Sequence, residues 1–266
     1  MKILGILNIT RDSFSDGGEY FQFDDSIKKL EELEISADII DVGAQSSNPD
    51  AVIISEVEEW NRLEPILERI LSRNQEVSVD TYKPEIIQKC IDKKVHYINN
   101  IRGFRDYESL EVLKNNKENL PEIIIMYSHN GGEIASKKSN LTIESIIDEI
   151  NLFFDETLTK FSRVEIPTDK IIIDPGMGFF LGDDPSLSFK VIKEIKSFQK
   201  RFGRVLVSVS RKSFLGSVLG GIPPKERNSA SLVTELFLSL EGVDYVRTHD
   251  PLSLKQAIKI WDILNN

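Results

Sequence analysis

Eight short apolar segments along the chain are each followed by polar side chains that can do chemistry. The closing residues are acids, amides, hydroxyls and cations. They are Asn8, Asp41, Asp80, Asn99, Tyr127 with His129, Asp174, Ser210 with Arg211 and Lys212, and Arg247 with Thr248 and His249. Loops are polar in any case, so chance supplies some of these side chains. Acids and amides of similar size at several equivalent positions are harder to obtain by chance, and they indicate a binding site.

Three of these residues suit the edge of a flat heterocycle that carries amino groups and ring nitrogens. Asp80 and Asp174 bring carboxylates, which accept hydrogen bonds, whereas the amide of Asn99 both donates and accepts. An aminopterin ring has an edge of this kind. We therefore expect the three side chains to converge on one heterocyclic ligand.

The last two segments end in cations, which indicates an anionic partner or leaving group. Lys212, Arg247 and His249 follow the seventh and eighth runs, where barrels often hold phosphate. The stretch from Ser210 to Ser213 also opens a helix, whose amino-terminal N–H groups suit a carboxylate. A solvated surface lysine is the alternative interpretation of Lys212.

Three loops combine glycine with small or aromatic residues. The loop 12–18 reads DSFSDGG, which is the composition of a mobile lid, although an ordinary capped turn reads the same way. Loop 43–49 reads GAQSSNP, and its small hydroxyl residues allow close approach to an anion. Loop 174–180 reads DPGMGFF, and its tight turn presents an acid together with Phe179.

The apolar runs define the elements that must position these side chains. Segments with helical spacing of apolar residues lie between the runs, so strand and helix alternate from end to end. Continuous apolar strands indicate burial on both faces, as in parallel sheets covered by helices. The runs are Ile3–Leu7, Asp38–Val42, Glu76–Val79, Val95–Ile98, Glu122–Met126, Lys170–Ile173, Arg204–Val209 and Val243–Val246.

Eight such units predict a single-domain α/β fold, a (β/α)8 TIM barrel over residues 1–266. The alternative is a doubly wound open sheet, which would carry a glycine-rich turn directly after its first strand. After Leu7 the chain reads NITRDS instead, and neither that turn nor a P-loop pattern is present.

The composition limits which partners the protein can bind and which cellular compartment suits it. The formal net charge is −10, which argues against a nucleic acid or an anionic membrane. No run reaches the ~18 apolar residues of a membrane span, and no signal peptide is evident. The single cysteine, Cys90, excludes an internal disulfide framework and suits a reducing cytoplasm. A buried position on a helix is the expected environment for it.

Together, seven motifs make the chain resemble dihydropteroate synthase over nearly its whole length. The matching stretches are GILNITRDSFSDGG from Gly5, DIIDVG from Asp38, VSVDTYKPE from Val77, INNI from Ile98, DPGMGF from Asp174, SRKSFLG from Ser210 and VRTHD from Val246. Members of that family join a dihydropterin diphosphate to p-aminobenzoate. The resemblance implies these two small-molecule substrates, bound Mg²⁺ and a homodimer assembled through late barrel helices.

The resemblance also implies a role for individual residues. Asp80, Asn99, Asp174 and Lys212 would hold the pterin, with Ile101, Met126 and Arg247 packing on its faces. Asn8, Arg247 and His249 would bind the diphosphate, with Asn8 as a Mg²⁺ ligand and Asp16 steadying a cationic methylene. The expected p-aminobenzoate pocket consists of Phe14, Ser47, Pro49, Phe179, Lys212 and Ser213.

Four positions depart from the usual family pattern. Most members carry Pro at the position of Arg11, Arg at Asn48, Asp at Asn100 and His near Tyr127. The missing Arg would contact the diphosphate, and Arg11 is one candidate to replace it.

The segments SSNPDA, NIRGF, GMGFFLG and VSVSRKSFLG resemble most the mobile sulfonamide-resistant subgroup of the family. In that subgroup a Phe-Gly-type insertion reshapes the p-aminobenzoate pocket, and Gly103 with Phe104 occupies the matching place after the fourth strand. An aromatic wall there would reject a drug that extends beyond the substrate's volume. Reduced sulfonamide binding is therefore expected, although Phe104 could simply pack on the barrel.

Two other functions stay open at this point. A pterin-dependent methyltransferase barrel shares the acid and amide mouth, but the DSFSDGG loop and the SRK and RTHD groups favour a diphosphate leaving group. A catalytically inactive pterin-binding protein is compatible with Arg11 and Asn48.

Overall fold

The computed structural model describes residues 1–9 and 19–265, with side chains for residues 1–9 and 25–265. Its eight strands all lie in one sheet. They are β1 (Lys2–Asn8), β2 (Ile39–Gly43), β3 (Glu76–Asp80), β4 (Tyr97–Asn100), β5 (Glu122–Met126), β6 (Ile171–Asp174), β7 (Leu206–Val207) and β8 (Tyr245–Thr248).

Every strand pair is parallel, and the sheet curls into a single barrel. The strand order is β6-β5-β4-β3-β2-β1-β8-β7, so β1 lies between β2 and β8. A bridge between Ile173 and Val205 closes the gap from β6 to β7, with the Ile173 N–H donating to the Arg204 carbonyl at 3.0 Å. This closure confirms the (β/α)8 barrel and excludes the doubly wound sheet.

Helices connect successive strands and cover the outside of the barrel. Ser55 caps α2 by accepting from the Glu58 N–H at 3.2 Å, and the stripe of Leu63, Leu67 and Ile70 is buried at helical spacing. The helices are α1 (Glu19–Ser36), α2 (Glu56–Ser72), α3 (Pro84–Asp92), α4 (Tyr107–Asn115), α5 (Ile146–Arg163), α6 (Pro185–Lys193), α7 (Ile195–Phe202), α8 (Ser213–Val218), α9 (Asn228–Leu240) and α10 (Pro251–Asn265). Within the described ranges, none of these helices is long and apolar enough to cross a membrane.

Alternation along the strands separates two apolar cores. Outward-facing strand residues pack with the helices in the larger core, whereas the inward-facing ones form a separate layer inside the barrel. That layer consists of Leu4, Ile39, Tyr97, Ile124, Ile172, Leu206 and Tyr245. These side chains fill the interior of the barrel.

Several strands run further than the apolar segments predict. β3 ends at Asp80, β6 at Asp174 and β8 at Thr248, because parallel pairing continues through the polar residues at the mouth. β7 is the exception and has only two residues. The Lys212 N–H donates to the Val209 carbonyl at 3.1 Å, so this segment turns early into the loop that carries Lys212.

Candidate active site

Parallel register places three of the predicted polar residues in one row at the carboxyl end of the barrel. Asn8 pairs with Gly43, Gly43 with Asp80, and Asp80 with Asn99. Gly43 leaves room between the two flanking side chains, because a Cβ there would lie 3.4 Å from that of Asp80. A short row of strand pairs thus aligns an amide, an acid and a second amide.

A cavity of about 460 Å³ opens at this end of the barrel. Nine of the predicted site residues line it: Asn8, Ser47, Pro49, Asp80, Phe179, Lys212, Ser213, Arg247 and His249. Asn99 and Asp174 lie buried beside this cavity at the inner strand ends. Ile101 and Met126 form a small apolar cluster at the mouth with Tyr82, Ala135 and Phe180, against which Phe179 packs.

Arg247 occupies the centre of the charged mouth. Its Nε donates to Asp41 Oδ2 at 2.5 Å, and its Nη2 donates to Asp80 Oδ2 at 2.9 Å. Burial opposes the charge on the guanidinium, but Asp41 and Asp80 outweigh that effect and raise its pKa. Asp41 is fully buried, and its other oxygen has no partner among the described residues. The two carboxylates therefore hold the guanidinium in one orientation, and neither of them hydrogen-bonds to Nη1.

The two acids expected to meet the pterin are both shifted toward the neutral form. Burial raises the pKa of Asp80 to about 7, although the Arg247 guanidinium limits the rise. Burial likewise raises the pKa of Asp174 to about 6, against the Gly176 N–H that donates to it at 2.8 Å. Asn99 is buried too, and its Oδ1 has no partner among the described residues. Buried polar atoms without partners are costly, so they suit a ligand that supplies donors.

Lys212 stands at the junction between β7 and the short helix α8. Burial, followed by the nearby Arg247 charge, lowers the pKa of Lys212 to about 8. Its Nζ lies 4.7 Å from the centre of the Phe180 ring, a distance at which a cation is attracted to an aromatic face. The left-handed backbone at Arg211, with φ of 57°, turns the chain into this position. A solvated surface lysine is therefore the wrong interpretation of Lys212.

The outer rim of the cavity is built from loops that hold one another by backbone hydrogen bonds. The Ala135 N–H donates to the Ser47 carbonyl at 2.9 Å, and the Ser136 N–H donates to the Phe179 carbonyl at 3.2 Å. Lys137 from the same segment lies 5.5 Å from the centre of the Phe179 ring. The segment between β5 and α5 thus joins the loops after β2 and β6.

Phe104 does not lie at the p-aminobenzoate pocket, where the resemblance to the sulfonamide-resistant subgroup places it. Its side chain is fully buried and packs edge-on against Phe161 of α5, with ring centres 5.7 Å apart. Gly103 precedes it with φ of 62°, and a Cβ there would come within 2.5 Å of Phe153. Neither residue lines the cavity, so the expected wall of the p-aminobenzoate pocket at Phe104 is wrong. Burial of the ring against α5 removes its apolar surface from water, which stabilises this position.

Some expectations fall on residues outside the described ranges, and the structure adds residues that the sequence did not single out. Arg11, Phe14 and Asp16 lie in the stretch that is not described. Arg227 lines the cavity and supports its floor, donating through Nη1 to the Arg211 carbonyl at 3.0 Å. Glu235 of α9 is buried behind the site, and its place in the buried stripe with Ser231 and Leu238 was the available sequence signal.

Protein ligands for a metal are sparse at the mouth. Among the described residues there is no group of three or more His, Cys, Asp or Glu side chains that could hold a metal ion. Asn8 lines the cavity. Its side-chain oxygen lies near Gly43, on the side where Asp80 stands. Mg²⁺ is commonly held by one or two protein oxygens together with water and substrate phosphate, so Asn8 fits such an ion.

Comparison with known proteins gives one consistent result. Residues 4–249 match the family described as pterin binding enzyme. The chain is 40% identical over 97% of both chains to dihydropteroate synthase type-3 from Escherichia coli. It is 37% identical to the type-2 enzyme from Escherichia coli, covering 97% of this chain and 94% of that one. A crystal structure of Yersinia pestis dihydropteroate synthase with a sulfonamide drug complex superposes with a TM-score of 0.86 at 27% identity, over 99% of this chain and 94% of that one. The chain therefore belongs to the pterin-binding enzymes and, within them, to the dihydropteroate synthases, which are transferases.

Proposed function

We propose that the protein condenses a hydroxymethyl-dihydropterin diphosphate with p-aminobenzoate, giving dihydropteroate and diphosphate. The observation that carries this proposal is the convergence of Asp80, Asn99, Asp174, Lys212 and Arg247 at one end of the barrel. Family membership supports the reaction type.

In this proposal the pterin binds at the buried end of the site. Asp174 accepts hydrogen bonds from the amino edge of the pterin, and the amide of Asn99 both accepts and donates there. Lys212 donates to an acceptor atom of the ring. Asp80 keeps one oxygen on Arg247 and offers the other to the ligand. Met126 and Ile101 contribute apolar contact from the mouth cluster.

The diphosphate end is assigned to Asn8, Arg247 and His249. Nε and Nη2 of Arg247 are engaged by Asp41 and Asp80, so Nη1 is the donor nitrogen available to the diphosphate. Asn8 is the proposed protein ligand to Mg²⁺. When bound, Mg²⁺ would neutralise charge on the diphosphate oxygens.

We propose a dissociative substitution. The bond between the pterin methylene carbon and the diphosphate oxygen breaks first, and the electron pair leaves with the diphosphate. The amine of p-aminobenzoate then forms the new C–N bond and releases one proton to solvent. Positive groups held in place before the reaction lower the barrier for such charge separation. Asp16 is retained as the candidate to steady the cationic methylene.

The second substrate is assigned to the outer rim. Ser47, Pro49 and Phe179 line that side of the cavity, together with Ser213 at the start of α8. Lys212 precedes this helix and adds positive charge near the same position. Phe14 is the remaining candidate from the sequence.

Diphosphate release by the purified protein tests the proposed reaction. The assay supplies dihydropterin diphosphate, p-aminobenzoate and Mg²⁺, and product formation is followed by mass. Product supports the synthase. Pterin binding without turnover would favour an inactive pterin-binding protein, and methyl transfer to a corrinoid acceptor would favour the methyltransferase alternative.

We also propose reduced sulfonamide sensitivity, now attributed to Phe179 and Phe180 instead of Phe104. Both aromatic side chains line the cavity, and Phe179 lies beside Pro49 and Lys137 at its outer edge. A drug longer than the substrate would meet this edge first. Inhibition by sulfamethoxazole should increase in Phe179→Ala, whereas unchanged inhibition in that variant would contradict the proposal.

A homodimer is the proposed assembly. Apolar side chains on α9 and α10 are exposed, with Phe237 42%, Ile260 57% and Leu264 76% accessible. Patches of this kind mark interfaces between chains. Light scattering should give twice the chain mass, and Phe237→Glu with Leu264→Glu should give the monomer. Location in the cytoplasm and the absence of a nucleic-acid partner stay predictions.

A further inference from the structure

A buried ion pair lies beside the loop that follows β2 (residues 44–55), and the proposed reaction has not used it. Glu59 of α2 is 1% exposed, and Lys83, directly before α3, is 7% exposed. Lys83 Nζ lies 2.8 Å from Glu59 Oε2, an oxygen that has no other partner among the described residues. Lysine and glutamate are almost never buried to this degree unless they are paired. A buried ion pair is nevertheless weak evidence for a role in stability, because apolar replacements are often equally stable.

Further hydrogen bonds hold each member of the pair from a different side. Thr81 Oγ1 donates to Glu59 Oε1 at 2.7 Å, so the carboxylate is tied to the residue that follows Asp80. The ammonium of Lys83 also donates to the carbonyl of Ile54, two residues before α2 begins. One charged side chain thus joins the start of α3 to the far end of the loop after β2.

This loop behaves as one unit because a glutamine side chain spans it. Gln45 Oε1 accepts from the Ile54 N–H at 2.9 Å. Its Nε2 donates to the carbonyl of Ser46 at 2.8 Å and to that of Val52 at 3.2 Å. A displacement of Ile54 is therefore passed through Gln45 to the residues at the start of the loop.

The same loop forms the side of the cavity that is assigned to p-aminobenzoate. Five successive residues line it: Gln45, Ser46, Ser47, Asn48 and Pro49. Packing gives the next part of the loop little support, since Val52 is 81% exposed and Ile53 49% exposed. Ile54 then packs against the core, and its carbonyl is the one that Lys83 holds. The outer end of the loop is thus anchored at Ile54.

We propose that Lys83 is a positioning residue for the second substrate: held by Glu59, its ammonium fixes the outer end of this loop and thereby the wall that p-aminobenzoate contacts. This inference rests on the proposed function, which places p-aminobenzoate at that wall. Neither Lys83 nor Glu59 lines the cavity, so both act through the loop. No bond forms or breaks at either side chain.

The two contacts of Lys83 predict separable effects. Lys83→Met removes the donor to the Ile54 carbonyl and also leaves the Glu59 carboxylate buried without its cation, which lowers stability. Glu59→Gln alone lowers stability as well, but it keeps the donor to Ile54. The double variant Glu59→Gln with Lys83→Met removes the charge on both sides. It should recover stability, while the loop stays without its anchor.

The first readout is the difference between the two substrates in the diphosphate-release assay. In the double variant, KM for p-aminobenzoate should rise about 10-fold, the lower end of the range for a hydrogen bond that involves a charged group. KM for the pterin diphosphate and kcat at saturating p-aminobenzoate should stay close to the parent values, because strands carry the inner end of the site. A parent-like KM for p-aminobenzoate in the double variant would show that Lys83 acts through stability alone and would overturn the inference.

Hydrogen exchange followed by mass spectrometry gives the second readout and needs no turnover. Peptides that cover residues 44–55 should exchange faster in the double variant than in the parent, whereas peptides that cover β3 and β4 should keep their protection. Equal exchange of the loop in both proteins would overturn the anchoring role. If the parent forms no product but the loop exchanges faster in the double variant, the anchor is supported and the proposed reaction alone fails.

Lys93→Met is the matched control, because Lys93 links the same two helices further along. It directly follows α3 and pairs with Glu64 at 2.9 Å and Glu68 at 2.6 Å on α2. These pairs are partly exposed and make no contact with the loop after β2. Lys93→Met should therefore leave KM for p-aminobenzoate and the exchange of the loop unchanged. An equal rise of KM in this variant would assign the effect to helix contacts in general and contradict a specific role of Lys83.

Discussion

The two ends of the cavity are constructed in different ways. The inner end consists of charged side chains on or directly after strands, where Arg247 is held by Asp41 and Asp80. The outer rim consists of loops, in which backbone N–H groups of Ala135 and Ser136 hold the loops after β2 and β6. Strand-borne groups are positioned by the barrel itself, whereas the rim depends on a few exchangeable contacts. We therefore expect large and global effects from the inner end and small, substrate-specific effects from the rim.

The largest effect is expected from Arg247→Met. Removing the guanidinium leaves Asp41 buried without its charge partner, which costs about 3–5 kcal/mol of folding free energy. Turnover should also fall about 1000-fold, because a cation at the developing diphosphate charge is lost. Denaturant unfolding and the diphosphate-release assay measure the two effects.

Two further variants sharpen this result. Asp41→Asn combined with Arg247→Met should recover much of the stability but no turnover, since the buried charge is removed on both sides. Arg204→Met is the matched control at the opposite end of the barrel, where Arg204 pairs with Glu122 at 2.6 Å and is a third exposed. Turnover close to the parent level in Arg247→Met would refute the comparison.

Pterin affinity should pass through a maximum with pH. Asp174 accepts from the pterin only when ionised, and burial raises its pKa from 3.8 to about 6. Lys212 donates only when protonated, and burial lowers its pKa from 10.5 to about 8. Calorimetric titration should therefore show affinity increasing through pH 6 and decreasing through pH 8. Asp174→Asn should weaken the acid limb, which Asp80 shares because its pKa is raised to about 7, and Lys212→Met should remove the alkaline limb.

The same groups affect the stability of the free protein with a defined sign. The Asp174 contribution is present below pH 3.8 and is lost as pH rises through about 6, because the folded chain retains a proton that the unfolded chain releases. The Lys212 contribution is present above pH 10.5 and is lost as pH falls through about 8. In Asp174→Asn, the melting temperature should depend less on pH between about 4 and 6 than in the parent protein. An unchanged dependence there would contradict the assignment.

A smaller effect is expected at the rim from Ala135→Pro. Proline removes the N–H that donates to the Ser47 carbonyl, and one such hydrogen bond is worth about 1 kcal/mol, or roughly fivefold. KM for p-aminobenzoate should rise by that factor, while pterin affinity is unchanged. Ala135→Gly keeps the N–H and is the control. Equal losses for both substrates would mean that the two ends are not independent.

The smallest functional effect is expected from Phe104→Leu. Phe104 packs against Phe161 away from the cavity, so the change should cost about 1 kcal/mol of stability and leave sulfonamide inhibition unaltered. Phe179→Leu is the comparison at the rim and should change inhibition. A Phe104→Leu protein that becomes drug-sensitive would return this residue to the p-aminobenzoate pocket.

The sequence was most informative where residue type and strand position coincide. Apolar runs predicted eight strands, and the polar residue closing each run predicted Asp80, Asn99 and Asp174 at one mouth. Both predictions use local patterns, since a parallel barrel brings all carboxyl ends of its strands together. Phe104 was predicted incorrectly because a Gly-Phe pair has no local signal for which way the ring turns.

The sequence alone determined the alternation of strand and helix, the barrel and the chemical inventory of its mouth, because period and composition are properties of neighbouring residues. Only the tertiary structure decided which charges meet. Asp41 lies 206 positions from Arg247, and Ser210, whose Oγ is 3.0 Å from His249 Nδ1, lies 39 positions from that histidine. Such pairings, and the pKa shifts they cause, depend on distance and burial in space, which spacing along the chain does not encode.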